Sequence, residues 1–356
     1  MRIWVTGIGI LSPLAPTAAS TMERLFAGDR ALGPLTLFEL AGARSQVAGE
    51  IRDLDVRAVA GGEASTWSRT DAMAVLAARE ALAQAGLTEQ GSDLDLLVGG
   101  TTAGMFETEP ALAEMASDPT AIAPLPHMLS HPLSATADRM RRAVAPFRSA
   151  RTVCSACSSS ANAIVLGAAR IRNGQAERVL AGGADGLCRL TYAGFGALGA
   201  MSPEPCRPFD ERRRGLTLGE GAAFLVLESS ESARQRGAKP LAELRGWALG
   251  SEAHHITNPE PSGEAASRLM RRALARAALA PSDVDYVNAH GTATKANDPM
   301  EARALARCLS GELDRVFVSS SKGQVGHTLG AAGALEAAIT ALAIVQQTVP
   351  PTAGLE

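Results

Sequence analysis

The chain carries the same structural sentence twice. REALAQAGL (79–87) is followed by DLDLLVGGT (93–101), and far downstream RRALARAAL (271–279) is followed by DVDYVNAHGT (283–292). Each copy reads as a periodic helix, a loop and a buried strand in the same register, closing in a small-residue turn. A second pairing joins SACSSSANAIVLGAAR (155–170) to VSSSKGQVGHTLGAAGA (318–334), both running from a serine cluster into a Gly/Ala helix. A chain that builds one unit twice is confined to architectures with two similar halves. Reactive groups at equivalent strand ends then meet at the junction.

Between these landmarks, short β-branched runs alternate with Ala-rich helical stretches, the pattern of an α/β protein with largely parallel strands. Strands are predicted over 2–6, 94–99, 178–182, 222–227, 242–248, 286–289 and 316–319. Helices are predicted over 69–85, 159–172, 265–278, 299–308 and 330–346. No low-complexity tract or charged linker divides them, so tight packing is expected.

Composition narrows the function. The 356 residues are 46% hydrophobic and 20% charged, which supports a sizeable core. Thirty-four basic against 37 acidic residues leave a net charge of −3. That lacks the basic excess which nucleic acid or anionic lipid demands. Five cysteines, an odd number scattered through a long chain, do not read as a disulfide framework and fit a reducing cytoplasm. The opening MRIWVTGIGILSPLAPTAAS imitates a signal peptide, but Gly7, Gly9 and Pro13 interrupt its apolar run. Residues 330–345 are apolar but carry Glu336 at their middle, so a buried core helix is expected rather than a membrane span.

Three residues stand out chemically. Cys157 lies where small polar residues give way to a helix, and there the unpaired N–H groups and helix dipole are expected to lower its pKa. Cys154 completes a Cys-x-x-Cys, yet no second such motif exists to make a zinc site. His290 follows a predicted strand beside Gly291, and His327 precedes a Gly/Ala helix; a histidine at such a strand end faces open space that a substrate can fill. Lys322 and Glu336 are expected to form a buried pair that orients His327. His127, His131 and His254 lack comparable surroundings. Gly7-Ile8-Gly9 reads as a tight turn, since the third glycine of a dinucleotide fingerprint is missing. Leu218–Ala222 reads as backbone crowding beneath the sheet.

Taken together, VTGIGILSPL (5–14), SACSSSANAI (155–164), AGGADG (181–186), CRPFD (206–210), LGEGAAFLVLE (218–228), VNAHGTAT (287–294), SSSKGQVGHTLGAAGALE (319–336) and VPPT (349–352) resemble the β-ketoacyl-acyl carrier protein synthases, the type II elongating condensing enzymes of the thiolase superfamily. The resemblance spans nearly the whole chain in order. It implies a five-layered αβαβα thiolase-like fold from two pseudo-twofold-related halves, 1–235 with the nucleophile and 236–356 with both histidines. It also implies a dimer, either of two like chains or with a related condensing subunit, acting on acyl carrier protein in the cytoplasm in fatty acid or polyketide biosynthesis. In that scheme Cys157 accepts an acyl chain, His290 and His327 support decarboxylation of a malonyl thioester, and Lys322 with Glu336 orders the His327 side. Thr292 and Thr294 match the threonines that hold the phosphopantetheine arm. No metal or redox cofactor is needed. Arg207 borders the entrance in relatives and is a candidate for carrier docking, as is the run Arg139, Arg141, Arg142, Arg148 and Arg151.

Departures accompany the match. Relatives continue past Pro-Pro-Thr into a final strand and an Asn-Ser-Phe-Gly-Phe-Gly-Gly loop that supplies an oxyanion donor and a gate, whereas this chain ends at Glu356. An enzyme without that loop is expected to condense roughly 10²–10³-fold more slowly. Cys154 and Arg214 also depart from the family pattern and point to a specialised pathway. Two other readings remain open: an inactive chain-length-factor-like subunit, which the retained Cys157 opposes, and a non-decarboxylating acyltransferase or thiolase relative, which the paired histidines oppose.

Overall fold

The first strand, Ile3–Leu11 (β1), is buried at all nine positions, as a strand covered on both faces must be. The computed structural model describes residues 1–40, 42–87 and 93–356, so the loop of the first repeat, 88–92, lies outside them. The remaining principal strands are Leu94–Gly99 (β2), Ser149–Val153 (β3), Arg178–Asp185 (β4), Gly221–Ser229 (β5), Ala242–Glu243 (β6), Tyr286–Asn288 (β7) and Phe317–Ser319 (β8). The helices that frame the site are Arg69–Ala85 (α1), Met105–Ser117 (α2), Ser159–Arg172 (α3), Arg189–Ala197 (α4), Glu264–Ala277 (α5), Asn297–Leu309 (α6) and Ala332–Gln346 (α7).

Strands β1 to β6 form one sheet in the order β3-β2-β4-β5-β1-β6. β2 runs parallel to β3 and β4, but β5 is antiparallel to both β4 and β1. The sheet is therefore mixed rather than largely parallel. A strand buried on both faces shows the same unbroken apolar run in either direction, which is why the pattern concealed the reversal.

One face of the sheet carries α1, whose Met73, Ala77, Ala81 and Leu82 pack with Leu96 and Phe224. The other face carries α3 and α7 through Ile164, Ile171, Leu335 and Ile339. Beyond α7 lies the parallel pair β7 and β8, covered in turn by α5 and α6 through Met270, Leu305 and Leu309. Helix, sheet, helix, sheet and helix make five layers, with α3 and α7 back to back at the centre.

Gly7 and Gly9 do not form a turn. They lie inside β1, where a Cβ would come within 2.2 Å of the Ala81 carbonyl and 1.9 Å of the Ala77 carbonyl. Their role is to let α1 rest its backbone on the sheet. The strand expected over 242–248 is reduced to Ala242–Glu243, which pairs with β1; past it, the Leu244 N–H still bonds the Ile3 carbonyl. Residues 329–346 form the one stretch among the described residues apolar and long enough to cross a membrane, and 61% of it is buried within the fold. All five cysteines are free thiols.

Candidate active site

After β3 the chain turns sharply through Cys154, Ser155 and Ala156 before α3 begins. Ala156 adopts φ +53°, a left-handed conformation that costs a residue with a Cβ roughly 1–2 kcal/mol. Ser159 holds the turn: its Oγ accepts the Ser155 N–H at 2.9 Å and donates to the Ala156 carbonyl at 2.6 Å. This elbow lifts Cys157 out of the strand line and points it across the junction between halves.

His327 arrives from the other half. Its N–H bonds the Thr217 carbonyl at 2.8 Å, and its carbonyl accepts the Gly219 N–H at 3.0 Å. The LGEG segment is thus more than crowded backbone, because it pins the histidine's main chain. The His327 Nε2 sits 3.0 Å from the Cys157 Sγ. His290 completes the group, its ring edge-on to that of His327 with centroids 5.3 Å apart. Its own N–H and that of Gly291 are both held by the Glu301 carboxylate, at 2.7 and 2.8 Å. One ligand-type atom from each of Cys157, His290 and His327 falls within 4.8 Å of the others.

The two Nδ1 atoms decide the protonation. The Leu329 N–H donates to the His327 Nδ1 at 3.2 Å, and the Lys322 ammonium, ion-paired to Glu336, lies 3.3 Å from the His290 Nδ1. A backbone N–H and an ammonium can only donate, so each Nδ1 is an acceptor and each ring's proton is on Nε2. Burial, then the Lys322 charge, holds both imidazoles well below the ordinary histidine range, with His290 adding to the effect on His327. Both are neutral N–H donors facing the sulfur.

Lys322 therefore serves the His290 side, correcting the expectation that it orients His327. The expected fall in the Cys157 pKa is also corrected. Burial pushes this thiol up, and neither the Lys322 charge nor the residue's own N–H offsets it, while Glu336 and Asp185 push it further. The helix dipole loses to desolvation because Cys157 is largely enclosed. Alkylation of Cys157 should accordingly accelerate about tenfold per pH unit from pH 6 to 9. A rate already flat at pH 7, the mark of a preformed thiolate–imidazolium pair, would contradict this; a stopped-flow iodoacetamide profile decides it.

Thr292 and Thr294 follow His290 with their hydroxyls 3.0 Å apart. Arg207 is partly exposed and lies 3.6 Å from Glu356. Of the arginine run, Arg139 is buried and bonds the Thr66 carbonyl. Arg148 is tied to Asp95 at the end of β3 remote from Cys157, so these two do not face the site. Arg214 pairs with Glu204 at 3.7 Å. His131 bonds Thr108, and neither it nor His127 or His254 joins the site. Sequence reasoning missed Glu301, Leu329 and Thr217. The last two act through backbone atoms that no residue type advertises, and Glu301 looks like any helical glutamate.

A partly buried thiol facing two N–H donors, at the seam of two similar halves, defines a thiol-dependent acyl-transfer enzyme of the thiolase type. Residues 1–233 match the family model "Beta-ketoacyl synthase, N-terminal domain" and residues 241–356 match "Beta-ketoacyl synthase, C-terminal domain". The chain belongs to the β-ketoacyl synthase family. It is 37% identical to Nodulation protein E of a Rhizobium species, covering 99% of this chain and 88% of the relative. It is 35% identical to 3-oxoacyl-[acyl-carrier-protein] synthase 2 of Synechocystis, covering 100% and 88%. Among solved structures, the ishigamide ketosynthase/chain length factor superposes with a TM-score of 0.91 at 33% identity, covering 99% of this chain and 88% of that one.

Proposed function

We infer that this β-ketoacyl synthase joins an acyl chain held on Cys157 to a malonyl unit delivered on a carrier thioester. The observation that carries the assignment of roles is the pair of Nε2–H groups aimed at the space beside the Cys157 sulfur. In the first half-reaction the sulfur attacks the acyl thioester carbonyl, a new C–S bond forms, and the carrier thiol leaves with the proton that Cys157 loses. In the second, the malonyl C–COO⁻ bond breaks, CO₂ departs, and the electron pair passes into an enolate whose oxygen the two Nε2–H groups bind. The enolate carbon then attacks the acyl carbonyl. The C–S bond to Cys157 breaks, and the released thiolate takes from solvent the one proton that the decarboxylation consumes overall.

The donor chemistry supports a reaction without a resident metal. A neutral histidine that binds a metal through Nε2 must carry its proton on Nδ1, and here both Nδ1 atoms already accept hydrogen bonds. Lys322 and Glu336 hold the proton of His290 in place, and Thr292 and Thr294 offer hydroxyls to the phosphopantetheine arm. The test is to add an acyl thioester and malonyl carrier, following the mass of the intact protein and CO₂ release. Acylation with malonyl-dependent CO₂ supports condensation, and acylation without CO₂ refutes it.

The partner is an acyl carrier protein, as the name of the Synechocystis relative suggests, and Arg207 contributes to its docking through an acidic face of that partner. Arg207→Glu should weaken carrier binding on the order of fivefold and flatten its salt dependence; unchanged titrations at low and high salt would count against this role. Two copies of the chain pair along β3. That strand is an edge of the large sheet, and Leu112, Leu190 and Leu198 are exposed, the first two lining an apolar cavity of about 500 Å³ between α2 and α4. An unpaired edge strand and exposed leucines on the same chain favour a partner of the same kind. Sedimentation at twice the chain mass supports the pairing. Free thiols at all five cysteines are in keeping with a cytoplasmic site of action.

A further inference from the structure

Asp185, at the end of β4, has no exposed surface, and the groups that contact its carboxylate are all donors. Its oxygens accept from the Thr101 N–H at 2.9 and 3.0 Å, the Thr101 hydroxyl at 2.7 Å, and the Thr102 N–H and hydroxyl, each at 2.9 Å. They also accept from the Gly330 N–H at 2.7 Å. No cation among the described residues pairs with it. A lone buried charge is expensive unless hydrogen bonds compensate it, and this one draws its donors from two separate chain segments.

One of those segments belongs to His327. Gly330 directly follows Leu329, whose N–H fixes the His327 tautomer. Leu329 sits at φ +51°, a conformation that a leucine adopts only when its neighbours enforce it. The approach is tight: a Cβ on Gly330 would lie 2.6 Å from the Asp185 Oδ2 and 3.0 Å from the Gly100 Cα. Asp185 thus grips the peptide next to the one that donates to the imidazole. On its other side it grips the Thr101–Thr102 turn, where Ala103 is also forced to φ +45°.

We propose that Asp185 is a positioning residue that keeps the proton of His327 on Nε2 by anchoring Gly330, and with it the Leu329 N–H. The role rests on His327 acting as a donor to the malonyl oxygen, and deepens that reading. Asparagine at this position would turn an NH₂ toward N–H donors. The Gly330 anchor would loosen and the Leu329 N–H would lose its aim. Glutamate retains the charge and both acceptors.

Side-chain ¹⁵N spectra of histidine-labelled protein test this without relying on turnover. Wild type should show the His327 signals of an Nε2–H tautomer. Asp185→Asn should add an Nδ1–H population and lower kcat by more than about tenfold, because a misplaced proton removes the donor, with KM changed less than about threefold. Asp185→Glu should keep the wild-type tautomer. If Asp185→Asn does not fold, Gly330→Ala, which forces the same contact apart while leaving the carboxylate intact, should produce the same tautomer mixture. A folded Asp185→Asn or Gly330→Ala protein with an unaltered His327 spectrum overturns the positioning role, even if activity falls. An Nδ1–H tautomer in the wild type would instead overturn the donor role of His327 itself.

Discussion

Cys157→Ala should abolish acyl transfer, lowering condensation by roughly 10⁴-fold or more, while malonyl decarboxylation stays within about tenfold of wild type. The two activities separate because they use different atoms. The acyl chain needs the sulfur to form a thioester, and that sulfur is the group held 3.0 Å from the His327 Nε2. Decarboxylation needs the two Nε2–H groups, and their orientation comes from the Leu329 N–H and from Lys322, neither of which touches the sulfur. Intact mass after incubation with an acyl thioester, alongside CO₂ release from malonyl carrier, reads both. An acyl adduct surviving in the variant would move the nucleophile elsewhere, with the exposed Cys154 three residues away the first place to look. Loss of both activities in a folded variant would mean that the sulfur also organises the malonyl site.

The internal repeat makes the two-half architecture legible in the sequence, since helix, loop and strand recur around 79–101 and 271–292. Helices α1 and α3 were legible to the residue, because Ser68 caps the first with a reciprocal box to Asp71 and the Ser-rich turn starts the second. Strand direction was not legible. Burial on both faces erases the alternation that would have hinted that β5 runs antiparallel to β4 and β1. Gly7 and Gly9 were misread because a glycine required by helix contact looks, in sequence, like one required by a turn. At the site, the identities of Cys157, His290 and His327 came from motifs, but their electrostatics did not. How deeply a thiol is enclosed, and which imidazole a lysine reaches, depend on tertiary distances. The helix-start argument for Cys157 was sound locally and was outweighed by desolvation.

His290→Ala and His327→Ala should each reduce malonyl decarboxylation by about 10²–10³-fold, the usual cost of losing one donor to a developing oxyanion. The pH dependence sets this mechanism apart from one that uses an imidazolium. An ordinary histidine titrates near 6.5, and burial with the Lys322 charge holds both rings well below that. Wild-type decarboxylation should therefore be level from pH 6 to 8. It should fall only at more acidic pH, where a second proton on Nδ1 would confront the Leu329 N–H or the Lys322 ammonium. A rate that declined steadily as pH rose through 6.5 would require a protonated ring and would rule out the neutral-donor arrangement. The single variants add a further constraint. If the two N–H groups bind one oxygen together, the double variant should lose less than the product of the two single losses, because either donor alone leaves the enolate oxygen incompletely held. Strictly multiplicative losses would instead assign the two imidazoles to different atoms of the substrate.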